Sequence, residues 1–206
     1  MHPLLRSAGA LLVDLDGTLL DSTAAAARAW GAFARRHGLD PAAVAHAAHG
    51  RPSRETVARL APPGADLAAE TAMVDEAGVD DTGGVVALPG AAQLLAAPPA
   101  PLAIVTSGST ALATARMHAA GLPVPDVLVS ADDVRHGKPD PEPFVLAARP
   151  LGLDPARAVV IEDAPAGVAA GRAAGATVLA VRTTHDDAEL VGAAAIADHI
   201  AALLAR

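Results

Sequence analysis

Ala10-Leu-Leu-Val-Asp-Leu-Asp-Gly-Thr-Leu-Leu-Asp-Ser22 is the stretch on which the reading of this chain turns. Its apolar run, Ala10 to Val13, reads as a buried strand. The run stops at two aspartates, Asp14 and Asp16, set one residue apart and followed by Gly17 and Thr18. Open α/β sheets place their chemistry just beyond the carboxyl ends of their strands. Two carboxylates this close either bind a cation or include one with a covalent job. The plainer alternative is a strand ending in an acidic turn, with Gly17 supplying φ > 0. This stretch alone leaves both open.

Working outward, Ser22 is placed to cap a helix over residues 24–36 that stops at Gly38. Further helices are expected over 41–49, from a Ser53 cap to just before Pro62-Pro63, and over 66–77. Beyond Gly83-Gly84 the pattern changes. Val85–Leu88 leads to a helix over 91–97, and apolar runs at 102–106, 127–130, 158–161 and 177–181 alternate with helices over 109–120, 141–148 and 165–174. A last helix is expected over 198–206. Alternation of this kind predicts an α/β fold, a Rossmann-like parallel sheet flanked by helices. Residues 22–82 then form an inserted helical domain, and residues 1–21 with 83–206 form a discontinuous core.

Composition narrows the field. Apolar residues make up 52% of the 206, yet the aromatic set is only Trp30, Phe33 and Phe144, so Ala, Val, Leu and Ile must build the core. Without cysteine there is neither a disulfide framework nor a thiolate metal site. The amino-terminal apolar run is too short for a signal peptide and closes on Asp14, and no stretch approaches membrane-spanning length. A cytoplasmic monomer is the expectation. A net charge of −8 argues against nucleic acid or an anionic membrane as partner. Of fifteen basic residues fourteen are arginine, leaving Lys138 as the single lysine. A compact ammonium and a planar fork are not interchangeable, so a lone lysine in so arginine-biased a chain points to a position where arginine will not serve.

Three more polar clusters follow expected strands. Thr106-Ser-Gly-Ser109 opens a helix and offers hydroxyls and backbone N–H groups to an anion. Lys138-Pro-Asp-Pro-Glu-Pro-Phe144 leads into another helix, and Glu162-Asp163 ends a strand ahead of Ala164-Pro-Ala-Gly167. Parallel strands point their carboxyl ends the same way, so all four clusters converge on one edge of the sheet. Asp14, Asp16, Glu162 and Asp163 would crowd there beside one ammonium, an arrangement that calls for a hard divalent cation. Mg²⁺ fits oxygen ligands shared with a phosphate. No histidine cluster has the spacing for zinc; His46 and His49 suit a solvated helix face or a substrate contact.

In order and spacing, Asp14-Leu-Asp-Gly-Thr18, the Thr106 turn, Lys138 and Glu162-Asp163 resemble the four motifs of the haloacid dehalogenase superfamily, and the helical insertion resembles its C1 cap. His49-Gly-Arg-Pro-Ser-Arg-Glu-Thr56, Ala87-Leu-Pro-Gly90 and Ile161-Glu-Asp-Ala-Pro-Ala-Gly167 resemble the sugar-phosphate phosphatases within it. That resemblance implies a Mg²⁺-dependent phosphatase acting on a small-molecule phosphate ester. It implies Asp14 as nucleophile, Asp16 as acid and base, and Thr106, Ser107 and Lys138 around the phosphate. Asp14, the Asp16 carbonyl and Asp163 would hold the metal, with Glu162 helping to bind or orient it. His49, Ser53 and Arg54 of the cap would meet the substrate.

Three other readings share some of these residues. A β-phosphoglucomutase-like mutase shares every core motif, but the mutases resemble one another in a hinge histidine ten residues past the second aspartate, and Ala26 stands there. Dehalogenases lack that second aspartate. A non-catalytic phospho-ligand sensor would commonly lose Asp16 or the acidic pair, and this chain keeps both.

Overall fold

The computed structural model describes residues 1–205. Among them the strands are, in chain order, β1 (Ala10–Val13), β2 (Leu20–Asp21), β3 (Val86–Ala87), β4 (Leu102–Val105), β5 (Leu128–Val129), β6 (Ala158–Glu162), β7 (Thr177–Val181) and β8 (Ala195–Ala197). The helices are α1 (Pro3–Ser7), α2 (Thr23–His37), α3 (Pro41–Ala48), α4 (Ser53–Leu60), α5 (Leu67–Asp80), α6 (Ala91–Ala96), α7 (Thr110–Ala119), α8 (Glu142–Ala148), α9 (Pro165–Ala173) and α10 (Ile200–Leu204).

Six strands form one parallel sheet in the order β5-β4-β1-β6-β7-β8. Burial on both faces explains why β1 is apolar at every position rather than alternating. Alternation reappears as a division of labour. Leu11 and Val13 pack with Leu5 of α1, Leu94 of α6 and Met117 of α7 on one side. Leu12 packs with Phe144 of α8 and Val168 of α9 on the other. Each such fully buried aliphatic side chain contributes about 1.5–3 kcal/mol. Val13 is level with Ile104 of β4 and with Ile161 of β6, so the next residue of each strand meets at one height on the rim. The chain leaves β1 for one side of the sheet and returns through β6 on the other, which makes β1 the switch point where a ligand crevice opens.

Helices α2 to α5 fall between β2 and β3 and hold their own apolar cluster of Trp30, Phe33, Ala34, Val44, Ala48, Val57 and Val74. The expected caps work differently from the sequence reading. Gly38 does close α2, at φ 65° with its N–H on Ala34 and Arg35 carbonyls. Ser22 stands at the N-cap position of α2 but makes no side-chain cap hydrogen bond; its hydroxyl is turned towards Asp16 and donates to it. Pro52, not Ser53, takes the N-cap position of α4.

Other elements escaped the sequence. Val86–Ala87 does not join the main sheet but pairs antiparallel with Leu20–Asp21, tying together the entry and exit of the helical insertion. Short α1 and β8 were not anticipated either. The last helix is Ile200–Leu204, shorter at both ends than expected, and Arg206 lies outside the described residues. No helix is long and apolar enough to cross a membrane among the described residues.

Candidate active site

Asp14 is the first residue past β1, fixed by donating its backbone N–H to Ile161 O at 2.9 Å. Lys138 reaches it from the loop before α8. The ammonium spends all three protons inside the protein, on Asp14 Oδ1 at 2.6 Å, Glu162 Oε1 at 2.7 Å and Val105 O at 2.9 Å, and it lies 5.1 Å from the centre of the Phe144 ring. Lys138 is 1% exposed, so this clamp is closed to solvent. Burial works against its charge, but the Asp14 and Glu162 carboxylates outweigh that and raise its pKa. The three protons of a compact ammonium match these three acceptors, a fit that a planar guanidinium is not shaped to reproduce.

Glu162 has both oxygens engaged: Oε1 accepts from Lys138, and Oε2 accepts the backbone N–H groups of Asp163 and Ala164, each at 2.9 Å. It forms the second wall of the lysine clamp, and its carboxylate lies close enough to those of Asp14 and Asp163 for the three to share a cation. Gly167, in the first turn of α9, makes room for it; a Cβ there would collide with the Glu162 carboxylate. Asp163 is fully buried and accepts from Thr18 Oγ1 at 2.8 Å, from Thr184 Oγ1 and from His49 Nε2 at 3.0 Å. Burial alone would raise its pKa; the His49 and hydroxyl donors reverse that and hold it below the usual range. Gly17, at φ 88°, turns the chain over this carboxylate, where any side chain would strike it.

Asp16 sits apart from the clamp and is partly open, its side chain 22% exposed. Its Oδ1 accepts from Ser22 Oγ at 2.6 Å and from Arg116 Nη1 at 2.7 Å. Asp14 differs sharply: burial holds its carboxyl well above the ordinary range, the Lys138 ammonium opposes this, and Glu162 and Asp163 add to it. Three buried carboxylates, Asp14, Glu162 and Asp163, thus face one ammonium. The surplus of negative charge and the hard oxygen donors of Asp14 and Asp163 suit a small divalent cation.

Thr106 continues β4 onto the same rim, its Oγ1 accepting the Gly108 N–H at 3.1 Å. Beside it Ser107 donates its hydroxyl to Gly50 O of the insertion at 3.0 Å. These residues, Asp14, Asp16 and Arg116 line a cavity of about 150 Å³ roofed by α2 and by the loop after α3.

The insertion's residues fare unevenly. Ser53 lines the cavity. His49 reaches past it to Asp163, and the carboxylate there outweighs burial to raise the imidazole pKa. Arg54 does not face the cavity: its guanidinium donates to the carbonyls of Ala131 at 2.7 Å, Val134 at 3.1 Å and Arg135 at 3.4 Å. With its donors aimed at core backbone, Arg54 in this structure fastens the insertion to the core. Arg116, Ser22 and Thr184 were not anticipated. Thr184 follows β7 on the same rim, so the strand-end rule applied to β7 would have found it.

A family model described as haloacid dehalogenase-like hydrolase matches residues 9–175. Hexitol phosphatase A of Escherichia coli strain K12 is 46% identical over 184 residues, 87% of this chain and 85% of that protein. Validoxylamine A 7'-phosphate phosphatase of Streptomyces hygroscopicus subsp. limoneus is 40% identical over 185 residues, covering 85% and 86%. The crystal structure of CbbY from Rhodobacter sphaeroides in complex with phosphate superposes with a TM-score of 0.82 at 28% identity, covering 95% of this chain and 96% of that one. The chain belongs to the haloacid dehalogenase-like hydrolases. Within them it is a phosphoric monoester hydrolase.

Proposed function

We propose that this enzyme hydrolyses small sugar or polyol phosphates through an aspartyl-phosphate on Asp14, with Mg²⁺ at the same rim and residues 22–82 acting as the cap over the substrate. The clamp of Lys138 between Asp14 and Glu162 carries the proposal, because it fixes a carboxylate at a strand end where a phosphoryl group and its countercharges can meet. A cavity of about 150 Å³ suits a small ester rather than a phosphoprotein. Close similarity to hexitol phosphatase A supports the substrate class.

Asp14 attacks phosphorus while the ester oxygen departs with a proton from Asp16; Asp16, now ionised, then takes a proton from the water that cleaves the aspartyl-phosphate. Thr106 and the Ser107 backbone hold phosphoryl oxygens, and Lys138 offsets the repulsion between phosphate and nucleophile. Asp14, Asp163 and the Asp16 carbonyl would hold Mg²⁺, which supplies charge neutralisation for the transferring group. Glu162 keeps Lys138 aimed. Ala26 lines the cavity where the related mutases carry a hinge histidine, which favours water over a second sugar as acceptor.

A panel of sugar and polyol phosphates with Mg²⁺ tests the substrate class by phosphate release. Asp14→Asn is expected to lower turnover by at least about four orders of magnitude on every ester, the scale seen when a nucleophile is removed. Retained phosphate release would refute the covalent route.

A further inference from the structure

We infer that Arg116 is a positioning residue for Asp16, a clamp on α7 that fixes which oxygen of the acid carries the transferable proton. This rests on the general-acid role proposed above for Asp16.

Arg116 is the one buried arginine among the described residues, 7% exposed; its side-chain hydrogen bond goes to Asp16 Oδ1, and the Asp75 carboxylate of α5 lies near enough to feel its charge without bonding to it. The buried Arg116 Nε has no hydrogen-bond partner at all. Of the two carboxylates near this buried guanidinium, Asp16 is the one it hydrogen-bonds. Since Arg only donates, and Ser22 Oγ already directs a second donor to the same Oδ1, a proton on Asp16 must reside on Oδ2. Neither donor engages Oδ2, which is left for the leaving group.

The support for this clamp comes from both halves of the molecule. Leu112 and Arg116 lie one turn apart on α7, on one face, and both line the cavity. Gly78 of α5 is buried against this face: a Cβ there would stand 3.0 Å from Leu112 Cδ1 and 3.8 Å from Arg116 Nη2. Helix α5 of the insertion therefore covers the guanidinium, and α7 begins directly after the Thr106–Ser109 turn. One short helix thereby aligns the phosphate-binding turn with the acid. When Asp16 gives its proton to the ester oxygen as the P–O bond breaks and the Asp14 oxygen–phosphorus bond forms, the carboxylate left behind is already paired with a fixed cation.

A leaving group that needs no acid should not feel this clamp. The experiment compares kcat/KM, which stops at release of the alcohol and so excludes the later hydrolysis, for an aliphatic sugar phosphate and for p-nitrophenyl phosphate. In Arg116→Gln the aliphatic ester is expected to lose at least about tenfold more than the aryl ester, a fraction of what general acid catalysis supplies. Arg116→Ala in millimolar guanidinium should recover part of that difference. Thermal melting of both variants checks the fold. Equal losses on the two esters, or no loss, would overturn the inference. Asp16→Asn separates it from its premise: if that variant shows no leaving-group discrimination, the acid role itself is wrong. Discrimination in Asp16→Asn but not in Arg116→Gln rejects only the clamp.

Discussion

The rim of the core and the underside of the insertion meet across the same cavity but are held by different kinds of bond. On the rim, side chain grips side chain: Lys138 with Asp14 and Glu162, Thr18 with Asp163, Arg116 with Asp16. Across the junction, side chains mostly grip backbone. Arg54 takes three core carbonyls, Ser107 takes Gly50 O, and Glu55 Oε1 accepts the Gly137 N–H at 2.9 Å. Side-chain pairs demand particular residues at both ends, whereas a carbonyl is available at every position. The rim is therefore restricted in sequence and the junction mainly in shape, with His49 and Asp163 as the side-chain pair that crosses it.

The sharpest way to break this contrast is at Lys138. Lys138→Met leaves Asp14 and Glu162 buried without a counter-ion and is expected to cost about 3–5 kcal/mol in denaturant unfolding. Lys138→Arg keeps the charge yet is expected to lower kcat/KM by about 10²–10³-fold, the scale for a displaced stabilising donor. An active, stable arginine variant would show that the clamp tolerates substitution after all. At the junction, Arg54→Ala removes hydrogen bonds that net about 0.5–1.5 kcal/mol each. It should therefore raise KM severalfold and by a similar factor for every ester. A change of preference among esters would instead restore Arg54 to the substrate contact expected from sequence.

The smallest effect belongs to Arg28 and Asp81, an exposed pair at the base of the insertion with 2.5 Å and 2.8 Å contacts. The Arg28 hydrogen bond, aided by the Gly83 N–H, lowers the Asp81 carboxyl to about 2. Its folded-state pKa lies below the unfolded value near 3.9, so the slight stability it lends is present above that value. It fades as pH falls towards 2. Asp81→Asn should narrow the gap between urea midpoints measured at pH 5 and pH 2.5, and an unchanged gap would mean the pair contributes nothing measurable.

These differences also explain what the sequence made legible. Long apolar runs ending in polar clusters located the sheet and drew Asp14, Thr106, Lys138, Glu162 and Asp163 to one edge, because a parallel sheet forces strand ends together. The same rule is silent about Arg116, which sits in the second turn of a helix, a hundred residues from its partner. Strands β2 and β3 are two residues each and pair across the whole insertion, so no local periodicity announces them. Ser22 looked like a cap by type and does hold that position, but its hydroxyl is oriented by Asp16 rather than by the helix N–H groups. Glu162 and Asp163 are adjacent and alike in charge, yet backbone N–H groups and Lys138 saturate the first while hydroxyls and an imidazole surround the second. Their position at a strand end located the pair; only the family resemblance assigned them different parts.

Pairing of Leu20 with Ala87 and of Asp21 with Val86 has one more consequence. Partners in such a ladder stand only about 5 Å apart, so the inserted helices leave and rejoin the core through a single narrow doorway. Covalently the insertion hangs from these two neighbouring points, while Arg54, Glu55 and His49 hold its far side to the core. A change in chain length among the inserted helices is therefore absorbed on the far side of that doorway, where it leaves the register of the sheet alone.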